Sequence, residues 1–143
     1  MCWLGAAGLG GCWPGYVRVT LSAQPETNQG RPLQVVVRAV DEQTYRSEPY
    51  TAVAAQVIQP DKSVLKVVTL DPLARRKRSL WLKQPDPKRG RLALYVLYST
   101  PSGSWRMLLG TRAPWRLLLP LGRSGISTEE VKECRVFLGE EQP

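Results

Sequence analysis

The stretch Leu92-Ala93-Leu94-Tyr95-Val96-Leu97-Tyr98 is almost wholly apolar, and it decides the fold class of this chain. An apolar run of this length, bounded by turn-forming residues, is typical of a strand that is buried on both faces. Turn-forming segments that contain proline and glycine precede it at 84–90 and follow it at 100–104. We therefore expect residues 92–98 at the centre of a β-sheet.

Two earlier segments predict further strands. In residues 16–23 apolar and polar side chains alternate, with Val17, Val19 and Leu21 facing the same way. Period two with β-branched residues indicates a half-buried strand. The segment Leu33–Val40 is more apolar, so it should lie nearer the middle of a sheet.

Shorter segments complete the pattern, and 12 prolines and 12 glycines separate the elements as turns. Further strands are predicted at 64–70, 79–83, 105–109, 115–119 and 133–138. Together the elements predict a mainly β fold, a β-sandwich of seven or eight strands formed by a single domain over residues 16–143.

The hydrophobic period changes after the second strand. Tyr50, Val53, Ala54 and Val57 recur at helical spacing, which predicts a short amphipathic helix over about 48–58. We expect Ser47 to cap this helix, Pro49 to lie in its first turn and Pro60 to end it. Tyr45 and Tyr50 are expected to pin the helix to the sheet. The sandwich thus has a helical insertion after its second strand.

The composition argues against catalysis. The chain has no histidine, which removes the commonest general base and the commonest metal ligand. Its acidic residues lie mostly in turn-like segments, no phosphate-binding loop is present, and the three cysteines lack the spacing of a zinc site. We expect no enzymatic activity, no catalytic residues, no metal site, no cofactor and no small-molecule substrate.

The net charge of +8 is concentrated in two basic blocks, Arg75-Arg76-Lys77-Arg78 and Lys88-Arg89-Gly90-Arg91. One interpretation is contact with an acidic ligand or partner surface. The other is a pair of solvated loops that keep the protein soluble. Nucleic acid is not expected as a partner, because basic blocks alone supply only a non-specific electrostatic attraction.

The segment Leu9-Gly10-Gly11-Cys12 has the form of a lipobox, in which small residues let a signal peptidase reach the backbone before the cysteine. Cys12 would then be acylated and become the mature N-terminus. Residues 1–11 would be a signal segment, truncated or mis-started because it is short and has no Lys or Arg, and residues 12–15 a tether. Trp13 follows the cysteine, where an aspartate would favour the inner membrane, so it favours the outer one. The alternative is a glycine-rich N-terminus with an incidental cysteine.

In its order of elements the chain resembles the TssJ (SciN) family of type VI secretion outer-membrane lipoproteins. The resemblance rests on the lipobox, on the first strand directly behind it and on the loop that leads into Val35-Val36-Val37-Arg38. It also rests on three later segments: Tyr45 with Ser47-Glu48-Pro49-Tyr50, then Tyr95-Val96-Leu97-Tyr98, then Trp105-Arg106. It covers about residues 9–110.

The resemblance implies a transthyretin-like sandwich, anchored by lipid at the periplasmic face of the outer membrane, that helps to assemble a secretion membrane complex. Its partner would be the periplasmic domain of the inner-membrane protein TssM. The family contacts this partner through the loop between its first two strands, which here consists of Gln24, Pro25, Glu26, Thr27, Asn28, Gln29, Gly30, Arg31 and Pro32. Two alternatives stay open: a periplasmic binding module for an acidic envelope ligand, and a pilotin-like lipoprotein of another secretion channel.

The same loop gives a mutational expectation. Because Asn28 and Arg31 lie between two strands, replacing exposed side chains there should change stability by less than about 0.5 kcal/mol. Alanine at both positions should nevertheless weaken binding of the partner. Alternatively, Arg31 caps the strand or pairs with Glu26, and the helical insertion over 41–60 is the next candidate interface.

Overall fold

The computed structural model describes residues 15–74, 76–109, 116–127 and 132–134. Within those ranges the chain forms eight strands and two α-helices. The strands are β1 (Tyr16–Ser22), β2 (Leu33–Val40), β3 (Val64–Leu70), β4 (Lys77–Lys83), β5 (Arg91–Leu97), β6 (Arg106–Leu108), β7 (Arg116–Pro120) and β8 (Lys132–Cys134). The helices, both between β2 and β3, are α1 (Glu42–Ser47) and α2 (Tyr50–Ile58).

The strands form two sheets of four. Sheet A has the order β4-β1-β7-β8 and sheet B the order β3-β2-β5-β6. The β1–β7 pair is parallel, while the other neighbours are antiparallel. The prediction of a mainly β sandwich with a helical insertion after the second strand is confirmed.

The two strands predicted to be central are central. Strands β2 and β5 pair with each other in the middle of sheet B. Leu94, Tyr95 and Val96 are completely buried, because β5 packs on sheet A with one face and on the helices with the other. The continuous apolar run in the sequence therefore reflects burial on both faces.

Strand β1 shows the alternation that its sequence predicts. Val17, Val19 and Leu21 are completely buried between the sheets, in the main hydrophobic core. Tyr16 and Arg18 point the other way, toward the outer face of sheet A. Period two in the sequence thus becomes one face in the core and one face in solvent.

A second apolar cluster lies on the outer side of sheet B, under the helices. Val36 and Val40 of β2 and Ala93 and Tyr95 of β5 pack there against Val53 of α2. Across the described ranges, no helix covers the outer face of sheet A. Among the described residues, the two outer faces of the sandwich therefore differ, because helices cover that of sheet B and none covers that of sheet A.

The helical insertion corrects the prediction in one respect. It contains two helices, and Ser47 ends α1 instead of capping the second helix. Helix α2 begins at Tyr50 with Pro49 in the N-cap position, two residues later than predicted. Helix α1 is capped by Asp41, whose carboxylate accepts the backbone N–H of Thr44 at 2.7 Å, and this hydrogen bond lowers the pKa of Asp41.

Strand bounds differ from prediction at a few ends. Strand β4 begins at Lys77, two residues before the predicted start, so part of the first basic block is strand. The predicted continuation of the last strand to residue 138 lies outside the described residues, as do the signal segment 1–11 and Cys12.

Candidate functional site

The 24–32 loop, which joins β1 to β2, contains three consecutive residues with a left-handed backbone. The φ angles are 53° at Asn28, 57° at Gln29 and 77° at Gly30. Glycine adopts this conformation freely and asparagine more readily than most residues, whereas for glutamine it costs roughly 1 kcal/mol. Such a turn persists only where its surroundings fix it.

The side chain of Asn28 forms hydrogen bonds that hold this turn in its left-handed conformation. Its amide nitrogen donates to the carbonyl oxygens of Arg31 and Pro32, at 3.2 and 3.3 Å. Its amide oxygen accepts the backbone N–H of Ser99 at 2.8 Å. Asn28 is only 4% exposed, so one side chain closes its own turn and ties it to the end of β5.

Thr27 and the loop backbone add further ties. The Thr27 hydroxyl donates to the Leu121 carbonyl at 3.0 Å and accepts the backbone N–H of Gln24 at 2.8 Å. The Asn28 backbone N–H donates to the Arg123 carbonyl at 2.8 Å. The loop is therefore bonded to the segment that follows β7 as well as to the end of β5.

Several connections meet at this end of the sandwich, which we call the loop end: the 24–32 loop and the segments 98–105 and 121–126. The Tyr98 hydroxyl donates to the Gly122 carbonyl at 3.2 Å, and the Ser102 N–H donates to the Ser124 carbonyl at 3.1 Å. Burial raises the pKa of Tyr98, so its hydroxyl stays protonated and remains a donor. The loop end is therefore a layer of turns joined to one another by hydrogen bonds.

The structure divides the predicted contact residues into two groups. Thr27 is completely buried and Asn28 nearly so, so neither offers its side chain to a partner. The expectation that Asn28 lies exposed is therefore wrong. Gly30 is partly covered, and the exposed residues of the loop are Gln24, Pro25, Glu26, Gln29, Arg31 and Pro32.

Arg31 keeps its charged group available. Its backbone N–H donates to the Asn28 carbonyl at 3.0 Å, but among the described residues its guanidinium has no hydrogen-bond or ion-pair partner. The alternative in which Arg31 pairs with Glu26 is not what the structure shows.

The helical insertion, the second candidate interface, is held to sheet B by two arginines. Arg38 of β2 is 2% exposed and forms a two-bonded ion pair with Glu48, which lies between α1 and α2. Arg106 of β6 donates to the carbonyl oxygens of Tyr45 and Glu48 at the end of α1. A lone arginine inside the apolar strand β2 was the sequence signal for this arrangement.

Aromatic contacts complete the attachment. The Tyr50 ring lies 5.0 Å from the Trp105 ring, and the Tyr45 ring lies 6.1 Å from the Tyr95 ring, between centroids. The prediction that Tyr45 and Tyr50 pin the insertion to the sheet is confirmed. A shallow depression on the solvent side of α1 is lined by Glu42, Gln43, Arg46 and Ser47.

The two basic blocks occupy different ends of the sandwich. Lys77 and Arg78 begin β4 beside Ser22 and Leu21, at the loop end, and Arg75 lies outside the described residues. Lys88 and Arg89 lie in a short turn before β5. The blocks therefore cannot form one continuous surface, which the sequence order alone did not reveal.

Within the described ranges, no group of three or more Cys, Asp and Glu residues could hold a metal ion. None of the helices in the described ranges is long and apolar enough to cross a membrane.

These observations define the structural class of the protein. It is a two-sheet β-sandwich with a helical insertion on one face and a layer of hydrogen-bonded turns at one end. A family model for the N-terminal domain of IglE matches residues 34–119, from β2 into β7. The chain belongs to this IglE N-terminal domain family. No curated protein matches it in sequence.

Solved structures show the same fold. The type VI secretion lipoprotein TssJ1 of Pseudomonas aeruginosa superposes with a TM-score of 0.65 at 19% identity, over 85% of this chain and 98% of that one. Serratia marcescens Lip, a membrane-bound component of the type VI secretion system, gives 0.61 at 15% identity, over 79% and 96%. A chain from a structure of the type VI secretion protein TssM C-terminal domain from EAEC gives 0.63 at 15% identity, over 78% and 95%. The resemblance to the TssJ family is thus confirmed.

Proposed function

We propose that this protein is a structural subunit of a type VI secretion membrane complex, anchored by an acyl group on Cys12 at the periplasmic face of the outer membrane. Its loop end binds the periplasmic domain of a TssM-like inner-membrane protein. Family membership and the shared fold support the secretion-system role. The partner and the anchor follow from the resemblance to TssJ.

The observation that carries the proposal is that the N-terminal end of β1 and the loop end lie at opposite ends of the sandwich. Strand β1 starts at Tyr16 and reaches the loop end seven residues later, at Ser22. A rise of about 3.3 Å per residue separates the two ends by roughly 20 Å. A domain tethered at Cys12 can therefore present the 24–32 loop away from the membrane.

The loop has the properties that a protein contact needs. Its backbone is fixed by Thr27 and Asn28, so little conformational entropy is lost when a partner binds. Glu26, Gln29 and Arg31 project from this fixed backbone as exposed polar groups. Arginine is common among the residues that dominate interface energies, because its planar guanidinium and apolar stem both make contacts.

Binding of a purified TssM-like periplasmic domain tests the proposal. We expect the triple variant Glu26→Ala/Gln29→Ala/Arg31→Ala to lower affinity by about tenfold or more, with its thermal midpoint nearly unchanged. Isothermal titration calorimetry with the Cys12→Ser chain measures the affinity without interference from lipid.

Helix α1 offers a control of identical composition. The variant Glu42→Ala/Gln43→Ala/Arg46→Ala removes the same three side-chain types from another exposed surface, and we expect it to bind as tightly as the unmodified chain. The reverse result, loss in the α1 variant and none in the loop variant, would move the interface to the helical insertion.

The anchor has a separate test. After a high-salt wash, Cys12→Ser should leave the membrane fraction for the soluble periplasmic fraction, because acyl chains hold the protein against such a wash and the fold does not depend on them. A Cys12→Ser protein that stays with membranes after salt and carbonate washing would exclude the lipid anchor. Partner binding in solution would then still be judged by the loop variants.

A further inference from the structure

The uncovered outer face of sheet A carries a basic and aromatic surface at its N-terminal end. In the β1–β4 pairing, Tyr16 lies opposite Lys83 and Arg18 lies opposite Trp81. All four alternate with buried core residues, so their side chains lie on the outer face. The turn after Lys83 starts beside the residue that precedes β1, because the Gln84 N–H donates to the Gly15 carbonyl.

The same turn adds two more cations. Lys88 and Arg89 are exposed within it. Gly90 ends it with φ 125°, and a Cβ there would lie 2.5 Å from the backbone carbon of Val40. The turn that carries the two cations therefore packs closely against the end of β2. We call this surface the basic end, and it consists of Tyr16, Arg18, Trp81, Lys83, Lys88 and Arg89.

Within the described ranges, three cations of the basic end have no ion-pair partner, because no carboxylate there pairs with Lys83, Lys88 or Arg89. The one acidic residue of the turn, Asp86, uses a carboxylate oxygen to accept the Lys88 backbone N–H at 2.9 Å. Three arginines outside the basic end do have carboxylate partners: Arg38 bonds Glu48, and Arg46 and Arg91 both bond Glu42.

Arg18 adds a further cation to the basic end. The Arg18 guanidinium lies 5.8 Å from the centre of the Trp81 ring, and its Nε is buried without a hydrogen-bond partner among the described residues.

The exposed aromatic ring identifies the kind of anion. Trp81 is 47% exposed although it is among the largest apolar side chains of the chain. Tryptophan and tyrosine rings beside lysine and arginine are the combination found at lipid headgroups, where the rings enter the interface and the cations meet phosphate.

We propose that the basic end binds the phosphate groups of an anionic phospholipid surface and thereby orients the domain on the membrane to which it is attached. The inference rests on the proposed lipid anchor for its location. Cys12 is four residues before Tyr16, so an extended tether reaches at most about 14 Å. The basic end is then within reach of the headgroups, and the loop end faces away.

The test uses the full chain with Cys12→Ser, so that only the protein surface can bind. Sedimentation with vesicles of phosphatidylethanolamine and phosphatidylglycerol should retain the chain, vesicles of phosphatidylcholine should not, and added salt should release it. Each basic residue near an anionic surface contributes about fivefold in affinity. The variant Lys83→Gln/Lys88→Gln/Arg89→Gln should therefore bind about a hundredfold more weakly.

A matched variant separates this surface from the net charge of the protein. Lys66→Gln/Arg76→Gln/Arg123→Gln removes the same charge from exposed positions outside the basic end, and it should keep nearly all of the vesicle binding. The charge-preserving variant Lys83→Arg/Lys88→Arg/Arg89→Lys should bind like the unmodified chain, which excludes misfolding as the cause of a loss.

Three results would overturn the proposal: equal retention by both kinds of vesicle, equal losses in the two charge-removing variants, or loss of the TssM-like partner in place of lipid when the basic end is changed. The last would make the basic end a protein interface. Failure of the proposed function is distinguishable, because it would show as partner binding that ignores the loop variants, whatever the vesicles do.

Discussion

The two ends of the sandwich use their polar groups in opposite ways. At the loop end, the side chains of Thr27 and Asn28 form hydrogen bonds inside the protein. The exposed residues of the 24–32 loop include acidic, basic and uncharged side chains. At the basic end, Lys83, Lys88 and Arg89 have no carboxylate partner in the described ranges. A fixed backbone suits a contact of defined shape, and cations beside the exposed ring of Trp81 suit an anionic lipid surface.

The two ends are alike in one respect: each contains a turn that depends on a residue with positive φ. At the basic end it is Gly90, with φ 125°, and at the loop end it is Asn28, with φ 53°. The first is required by space and the second by hydrogen bonding, so the two substitutions below should cost different amounts.

The largest effect is expected from Gly90→Ala. A Cβ at this position would lie 2.5 and 2.6 Å from the backbone carbon and oxygen of Val40, and neither atom can move without distorting β2. Together with the cost of this φ for alanine, we expect a loss of about 3 kcal/mol in the free energy of unfolding. Denaturant titration measures it, and a loss below about 1 kcal/mol would show that the turn is not fixed against β2.

The second effect, of about 2 kcal/mol, is expected from Asn28→Ala at the loop end. The substitution leaves the Ser99 N–H and the carbonyls of Arg31 and Pro32 without their partner. Gln29→Ala is the control, because Gln29 has nearly the same φ but is exposed, and it should change stability by less than about 0.5 kcal/mol. Similar costs for both variants would mean that backbone conformation, and not the buried amide, holds the loop.

A smaller effect, of about 1 kcal/mol, is expected from Tyr98→Phe. The Tyr98 hydroxyl donates to the Gly122 carbonyl within the loop end, and that acceptor would lose its partner. Tyr95→Phe is the control, because the Tyr95 hydroxyl is buried with no hydrogen-bond partner among the described residues. Its removal should be neutral or slightly stabilising, and thermal melting of both variants measures the difference.

Tyr95 also predicts a pH dependence. Burial raises its pKa to about 12, above the ordinary tyrosine value of 10.0. The unfolded chain therefore releases this proton first, so stability is complete below pH 10 and falls as the pH rises toward 12. Unfolding between pH 9 and pH 12 should show a shallower decline for Tyr95→Phe than for the unmodified chain. Parallel declines would mean that Tyr95 titrates as it does when unfolded.

Local patterns predicted most of the fold. The alternation in β1 predicts that one face of that strand is buried, and the apolar run in β5 predicts that both faces are. The bounds of β2 and β3 follow from the turns around them. Helix α1 escaped prediction because its sequence Glu42–Ser47 is short and polar, with no apolar period to reveal it. Its only sequence signal was Asp41, a capping residue that bonds Thr44.

The two ends could not be predicted in the same way. Asn28 is buried because it bonds Ser99, 71 residues away, and no local pattern encodes that contact. Lys83 lies beside Tyr16 only through the pairing of β4 with β1. The sequence therefore located the 24–32 loop and its neighbours, but which of its side chains are exposed depended on tertiary structure.

A single cross-linking measurement tests most directly whether the loop end contacts the partner protein while the basic end contacts the membrane. A photo-activatable residue is placed at Gln29 in one chain and at Lys88 in another, both lipid-anchored in cells that contain the TssM-like protein. We predict cross-links to that protein from position 29 and cross-links to phospholipid from position 88. Cross-links to the TssM-like protein from position 88, with none from position 29, would contradict the account.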